Sequence, residues 1–142
     1  PMHKPLLMAA FSFISLMGYG QLAGKWKSID DSSGKPRSLV EITEKAGVFQ
    51  GRIIHIFPQP GKDPDPVCTK CDADDARHGQ KVKGMEIIRS MKRDGKEYSG
   101  GTILDPESGN VYRCRMWIEG KDLKVRGYLG PFFRTQTWLK AD

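Results

Sequence analysis

The fold class is decided by residues 111–129, which read VYRCRMWIEGKDLKVRGYL. Apolar side chains recur at every second position, from Tyr112 to Ile118 and again from Leu123, while charged residues occupy most of the positions between them. A cluster at 119–121, Glu-Gly-Lys, separates the two halves. Because a period of two with one charged face is typical of half-buried strands, the stretch predicts two β-strands joined by a tight turn.

The same alternation continues through most of the chain on both sides of this hairpin. Short clusters rich in glycine, aspartate and serine mark turns between the alternating runs. Regular short strands with tight turns favour an antiparallel meander, and closure into an up-and-down barrel removes the exposed sheet edges. We therefore expect an all-β fold, a single antiparallel barrel whose interior is filled by side chains or holds one small ligand. About eight strands are predicted, at 24–30, 37–45, 48–57, 84–91, 96–104, 110–119, 122–129 and 134–140.

A long interval at 58–83 interrupts this rhythm. It contains four prolines between positions 58 and 66, and a proline cannot donate to the hydrogen-bond ladder of a central strand. Loops of this length inside a small domain are uncommon and often form lids or binding loops. The interval is therefore predicted to be the specialised feature of the domain.

The first twenty residues differ in composition from the rest. His3 and Lys4 precede an uncharged apolar run at 6–17, and Gly18-Tyr19-Gly20 follows it. A basic start, a short apolar run and a small-x-small exit are the three parts of a secretory signal peptide. We expect residues 1–20 to be a signal peptide, residues 21–142 to be the barrel domain, and the protein to be exported, either periplasmic or secreted.

Composition and charge exclude several functional classes. The chain has 142 residues, with 38% hydrophobic and 28% charged residues, which suits one globular domain. Lysine and arginine exceed aspartate and glutamate by 23 to 17, a net charge of +6. The basic residues are spread along the strands and no nucleic-acid-binding module is present, so nucleic acid is not expected as a partner.

The three cysteines form a close pair and a single residue. Cys68 and Cys71 enclose two residues within the long interval, and the oxidising compartment of an exported protein favours a disulfide between them. A metal site with His78, a redox-active thiol pair and idle thiols are the alternatives, although one CxxC motif is a weak metal signal. Cys114 lies on the apolar face of its strand and is expected to be a buried, inert thiol. No metal site and no cofactor are predicted.

The alternation also predicts which side chains face the barrel interior. His55 shares the alternating face of Ile53, so we expect it to contact a polar group of a ligand at the barrel mouth rather than to act in catalysis. No catalytic motif is recognisable, and Asp105 and Glu107 are interpreted as turn residues beside Pro106. The predicted cavity residues are Phe49, Ile53, His55, Met85, Ile87, Tyr98, Tyr112, Met116, Val125 and Leu129.

The two ends of the pattern resemble the lipocalin and calycin barrels. Gly24-Lys25-Trp26 starts the first strand, and the resemblance implies that Trp26 closes one end of the barrel. It further implies that an arginine of the last strand, for which Arg134 is the candidate, packs over this ring. Gly24, Trp26 and Arg134 are therefore structural candidates. Phe132 and Phe133, before the last strand, are expected to plug a barrel end rather than to form an exposed partner-binding patch.

A more specific resemblance extends over nearly all of residues 21–142. The chain is similar to a family of exported bacterial proteins known as domain of unknown function 2147. The similarity is carried by Gly24-Lys25-Trp26, 30–37, 60–71, Gly100 to Pro106, and Val125 to Trp138. It implies an exported lipocalin-like barrel and supplies no catalytic residues.

Two functions of different classes follow from these expectations. The first is a noncatalytic binding protein that holds a small apolar or amphipathic ligand in a barrel cavity. The second is an interaction protein with a filled barrel, which would bind an envelope or host partner through loop 58–83 and a basic and aromatic strand face at Arg113, Arg115, Trp117, Lys124, Arg126 and Tyr128. A monomer or weak dimer is expected. An enzyme using Cys68 and Cys71 is the least favoured option.

Overall fold

The computed structural model describes residues 21–141, and the predicted signal peptide at 1–20 lies outside them. Within the described range all regular structure is β, and no helix is long and apolar enough to cross a bilayer. Eight strands follow one another along the chain: β1 Gly24–Ile29, β2 Pro36–Lys45, β3 Val48–Ile56, β4 Glu86–Asp94, β5 Glu97–Leu104, β6 Val111–Glu119, β7 Asp122–Leu129 and β8 Phe132–Lys140.

The strands form a closed antiparallel barrel in which each strand pairs with its neighbours in sequence. Closure is made by β1 and β8, where Trp26 lies opposite Lys140 and Lys27 opposite Leu139. The predicted all-β barrel is confirmed, and the predicted strands agree with the observed ones to within three residues. The one displacement with consequences is β8, which begins at Phe132 instead of 134.

The antiparallel meander gives the barrel two ends with different connections. At one end the hairpins β2–β3, β4–β5 and β6–β7 each turn through two residues, as at Ala46-Gly47, where both residues have positive φ. This end, which we call the packed end, is filled by buried side chains. They are Trp26, Ile42, Phe49, Met91, Tyr98, Met116 and Leu123.

The opposite end, which we call the open end, carries the turn at 30–35, loop 57–85, the turn at 105–110 and the tight turn at Gly130-Pro131. Residues 21–23 lie at the packed end, where the carbonyl oxygen of buried Leu22 accepts a 2.9 Å hydrogen bond from Trp26 Nε1. Because the core stops partway along the barrel, the open end retains internal space.

A β-bulge in β3 changes which side chains face this space. Leu39 of β2 pairs with His55, whereas Val40 pairs with Ile53, so β3 has one extra residue at this point. A bulge moves the following side chains to the other face of the sheet. His55 is therefore exposed, and Ile56 takes the inward position that strict alternation gives to His55.

Candidate functional site

A cavity of about 660 Å³ lies inside the open end of the barrel. This volume is within the range of about 300–1,000 Å³ that is typical of small-molecule sites. The strands supply an apolar wall, and loop 57–85 supplies the rim on one side. The apolar wall consists of Ile53, Ile56, Ile87, Ile103, Leu104 and Val125.

A few polar groups interrupt the apolar wall. Ser28 and Ser38 face each other across β1 and β2, with their Oγ atoms 2.6 Å apart, and both side chains are buried. On β8, Gln136 Oε1 accepts a 2.9 Å hydrogen bond from Trp138 Nε1, and both residues line the cavity. The Gln136 amide nitrogen makes no hydrogen bond within residues 21–141, so it is available as a donor to a ligand.

Charged side chains gather at the rim between β2, loop 57–85 and the turn at 105–110. Arg37 lies 2.8 Å from Glu107 and 3.9 Å from Asp105, and Lys62 lies 2.8 Å from the other oxygen of Glu107. The hydrogen bond from Lys62, together with the nearby guanidinium of Arg37, holds the pKa of Glu107 below its usual value. The four charges balance, and they connect the loop to the barrel at the cavity mouth.

Loop 57–85 is held together by a disulfide between Cys68 and Cys71, which confirms the predicted pairing. Both cysteines are buried, so neither sulfur is presented to solvent as a redox-active pair would require. The disulfide-bonded segment packs on the turn at 105–110. A Cβ atom added to Gly109 would lie 1.9 Å from the carbonyl oxygen of Lys70, so this contact requires glycine.

His78 and the aspartates of the same loop have structural partners. His78 Nδ1 is 2.6 Å from the carbonyl oxygen of Cys71. Asp75 accepts hydrogen bonds from Arg77, and these lower the pKa of Asp75 to about 2. Arg77, itself buried, also donates a 2.9 Å hydrogen bond to the carbonyl oxygen of Glu86 in β4. These contacts fasten the loop to the barrel wall. Within residues 21–141 no three metal-ligating side chains come together.

The structure brings half of the predicted cavity residues together. Of these, Ile53, Ile87, Tyr112, Val125 and Leu129 line the open-end cavity. Alternation alone assigned the other residues a place in the interior without fixing how deep they lie. Phe49, Tyr98 and Met116 are buried in the packed end, Met85 is buried but does not line the cavity, and His55 is exposed because of the bulge.

Several cavity residues were missed by the sequence analysis. Gln136 and Trp138 stand at alternate positions of β8, so the period-two argument applied to this strand would have found them. Ile56 faces inward only because of the bulge, for which the sequence carries no recognisable signal. Ser28 and Ser38 were overlooked because small polar residues do not contribute to an apolar alternation.

The residue over the Trp26 ring is Lys140, and the assignment of this role to Arg134 is wrong. Lys140 Nζ lies 5.6 Å from the ring centroid of Trp26, which is buried at the packed end. Arg134 lies at the open end, where it faces Asp31 at 3.6 Å. The two basic residues share the parity of β8 but are six positions apart, about 20 Å along a strand.

The expected plug of Phe132 and Phe133 is also absent, because these side chains are 77% and 60% exposed. β8 begins at Phe132, so both aromatics belong to the strand, and they line the cavity mouth. Cys114, by contrast, is buried as predicted, and burial raises the pKa of its thiol to about 12. A thiol with this pKa is inert at neutral pH.

Comparison with known proteins agrees with the barrel. One similar solved structure is described as "Protein HP1028 from the human pathogen Helicobacter pylori belongs to the lipocalin family". It superimposes with a TM-score of 0.71 at 20% identity, over 86% of this chain and 84% of that chain, which shows a common fold. No curated protein matches the sequence. Residues 24–140 match the family model described as "Uncharacterized protein conserved in bacteria (DUF2147)", and the chain belongs to this family.

Proposed function

We propose that this protein is an exported, noncatalytic binding protein that holds a small apolar or amphipathic ligand in the open-end cavity. The observation that carries the proposal is the cavity itself, with about 660 Å³ inside a barrel whose other end is solidly packed. A well-formed apolar cavity with a few convergent polar groups is the usual form of a small-molecule site. A barrel filled throughout, as the alternative of a pure interaction protein assumes, would lack this space.

The chemistry of the wall favours an amphipathic ligand. The isoleucines and Val125 provide apolar contact for a hydrocarbon chain or ring system. The Gln136 amide and the paired hydroxyl groups of Ser28 and Ser38 can hydrogen-bond a polar atom that reaches the interior. At the mouth, Arg37 and Lys62 are paired with Glu107. An anionic headgroup of a bound ligand would compete with Glu107 for these two cations.

Two further observations support the noncatalytic and exported parts of the proposal. The acidic side chains that line the cavity mouth include Asp105 and Glu107, which are paired with Arg37 rather than poised beside a nucleophile. The buried disulfide Cys68–Cys71 suits an oxidising compartment, as expected of a protein that leaves the cytoplasm.

The proposal is tested by titrating residues 21–142 with N-phenyl-1-naphthylamine, whose fluorescence rises on entering an apolar site. We expect saturable binding of one probe per barrel and displacement by a medium-chain fatty acid. Native mass spectrometry of the protein purified from bacterial envelope fractions should show an added mass that organic extraction removes. Absence of both probe binding and an added mass would contradict the proposal.

A further inference from the structure

The exposed apolar surface of the protein is concentrated at one end. Of the six most exposed large hydrophobic side chains within residues 21–141, only Leu139 lies at the packed end. The remaining five lie at the open end, and four of them line the cavity mouth. Soluble proteins seldom expose such clusters unless they bind something there. Leu129, Phe132 and Phe133 form the main part of this surface, and we call them the apolar rim.

The apolar rim is held in place by the sheet. Leu129 pairs with Phe132 and Tyr128 with Phe133 across the tight Gly130-Pro131 turn. The rings of Tyr128 and Phe133 lie 5.9 Å apart, and the guanidinium of Arg126 lies 4.5 Å from the Phe133 ring centroid. The aromatic side chains are therefore presented to solvent by a rigid hairpin, so docking them to a surface costs little conformational entropy.

Basic side chains flank the apolar rim. Arg113 lies 5.6 Å from the Tyr128 ring, and Arg126 also contacts the Trp117 ring at 4.9 Å. Neither arginine has a carboxylate within 4 Å among the described residues. Arg134 is 78% exposed and lies 3.6 Å from the carboxylate of Asp31, with which it forms an ion pair on this side of the mouth. The flank therefore carries a net positive charge beside exposed aromatic side chains.

We propose that the apolar rim docks on the surface of an anionic lipid bilayer. Aromatic side chains favour the interface between headgroups and hydrocarbon, while arginines are attracted to anionic headgroups. Charge complementarity therefore selects a membrane as the occupant. Because the rim residues also line the cavity mouth, docking places the opening of the cavity against the lipid. The inference concerns the outer surface, so it goes beyond the proposed function and does not require it.

The test is co-sedimentation with vesicles of phosphatidylglycerol and phosphatidylcholine, compared with vesicles of phosphatidylcholine alone. We expect the wild-type protein to bind the anionic vesicles more strongly. Phe132→Ser combined with Phe133→Ser should lower the partition coefficient at least about tenfold, because two exposed rings no longer enter the interface. Leu139→Ser removes an exposed apolar side chain at the packed end and is the matched control, with no change expected.

The charge contribution has its own matched pair. Arg113→Gln with Arg134→Gln should weaken binding to anionic vesicles by about fivefold for each arginine. Lys96→Gln with Lys121→Gln removes the same charge from turns of the packed end and should have a much smaller effect. Equal losses in the two double variants would show general electrostatic attraction and would overturn a docking surface at the rim.

Three other results would overturn the proposal. They are absence of vesicle binding, equal binding to both kinds of vesicle, and a concentration-dependent dimer in sedimentation equilibrium that the Phe132→Ser, Phe133→Ser variant abolishes. The last result would identify the rim as an interface between copies of the chain. Naphthylamine titration of the wild-type protein separates this failure from that of the cavity, since a protein that binds the probe but does not sediment with anionic vesicles keeps its ligand site and lacks the docking surface.

Discussion

The two ends of the barrel are built from the same eight strands yet differ in what fills them. At the packed end, large side chains such as Trp26, Phe49 and Met116 occupy the interior, and the hairpins are short. At the open end, aliphatic and hydroxyl side chains together with Tyr112 and Trp138 surround a cavity of about 660 Å³, and loop 57–85 covers part of the mouth. The comparison indicates that one end provides the stability that allows the other to remain hollow.

The two ends also differ in what keeps them ordered. The packed end is stabilised by apolar burial. The open end is stabilised by local cross-links, which we call its fasteners: the Cys68–Cys71 disulfide, the hydrogen bonds of Arg77 and the ion pairs of Glu107 at the cavity mouth. Removing one fastener should therefore cost less stability than removing one core side chain.

Replacement of a phenylalanine by alanine should lower the free energy of unfolding much more at the packed end than at the open end. Phe49→Ala removes a buried ring that meets Tyr98 edge-on with 5.0 Å between centroids, and we expect a loss of about 3–5 kcal/mol in the free energy of unfolding. Phe132→Ala removes an exposed ring and should change stability by less than about 0.5 kcal/mol. Urea unfolding followed by circular dichroism measures both. Similar losses for the two variants would contradict the division of the barrel into two ends.

Loss of the disulfide should have an intermediate effect. Replacement of both Cys68 and Cys71 by alanine releases a four-residue ring, for which loop-closure entropy gives about 2 kcal/mol. Hydrogen exchange should accelerate in loop 57–85 through local opening. Amides of the packed end should still exchange only through global unfolding of the barrel. The oxidised wild-type protein is the control. Unchanged stability together with unchanged loop exchange would show that the disulfide does not order this end.

Filling the cavity should impair ligand binding without a comparable cost in stability. Ile103→Trp adds a large side chain to the cavity wall, and we expect naphthylamine affinity to fall at least about tenfold, or about 1.4 kcal/mol. Ile118→Trp makes the same change at a partly buried position against the packed end and is the matched control. Binding by the Ile103→Trp variant equal to that of the control would place the ligand elsewhere.

The smallest effect concerns an ion pair that fastens the loop. The pKa of Asp75 is lowered from 3.8 to about 2 by hydrogen bonds from Arg77, so the charged carboxylate stabilises the folded state. This contribution, on the order of 1 kcal/mol, is complete well above pH 3.8 and is lost as the pH falls toward about 2. Asp75→Asn should therefore destabilise at pH 7 and have little effect near pH 2. An effect independent of pH would exclude the ionic contribution.

Much of the barrel could be predicted because alternation is a local property of each strand. The hairpin around Gly120 shows period two on both sides, and the turn clusters place most strand ends within a few residues. The bulge near His55 could not be predicted, since it arises from the pairing of two strands and leaves no mark in either sequence. One inserted residue was enough to exchange His55 for Ile56 in the cavity.

The site was less predictable than the fold because alternation gives the face of a side chain but not its depth. Met116 and Tyr112 share a face of β6, yet Met116 is core and Tyr112 lines the cavity. The misassignment of Arg134 has the same origin. The side chains of Arg134 and Lys140 face the same side of β8, but they lie at opposite ends of the strand. Depth depends on how the strands are staggered around the barrel, which only the closed structure defines.

We expect the open end to bind a ligand while the packed end remains solid, and NMR of labelled isoleucine δ1 methyl groups follows both ends at once. The two ends carry their own reporters, with Ile53, Ile87 and Ile103 on the cavity wall and Ile42 and Ile118 at the packed end. Titration with dodecanoate should shift the first three methyl signals saturably and leave the other two in place. Equal shifts at both ends, or no shift at saturating dodecanoate, would contradict the claim.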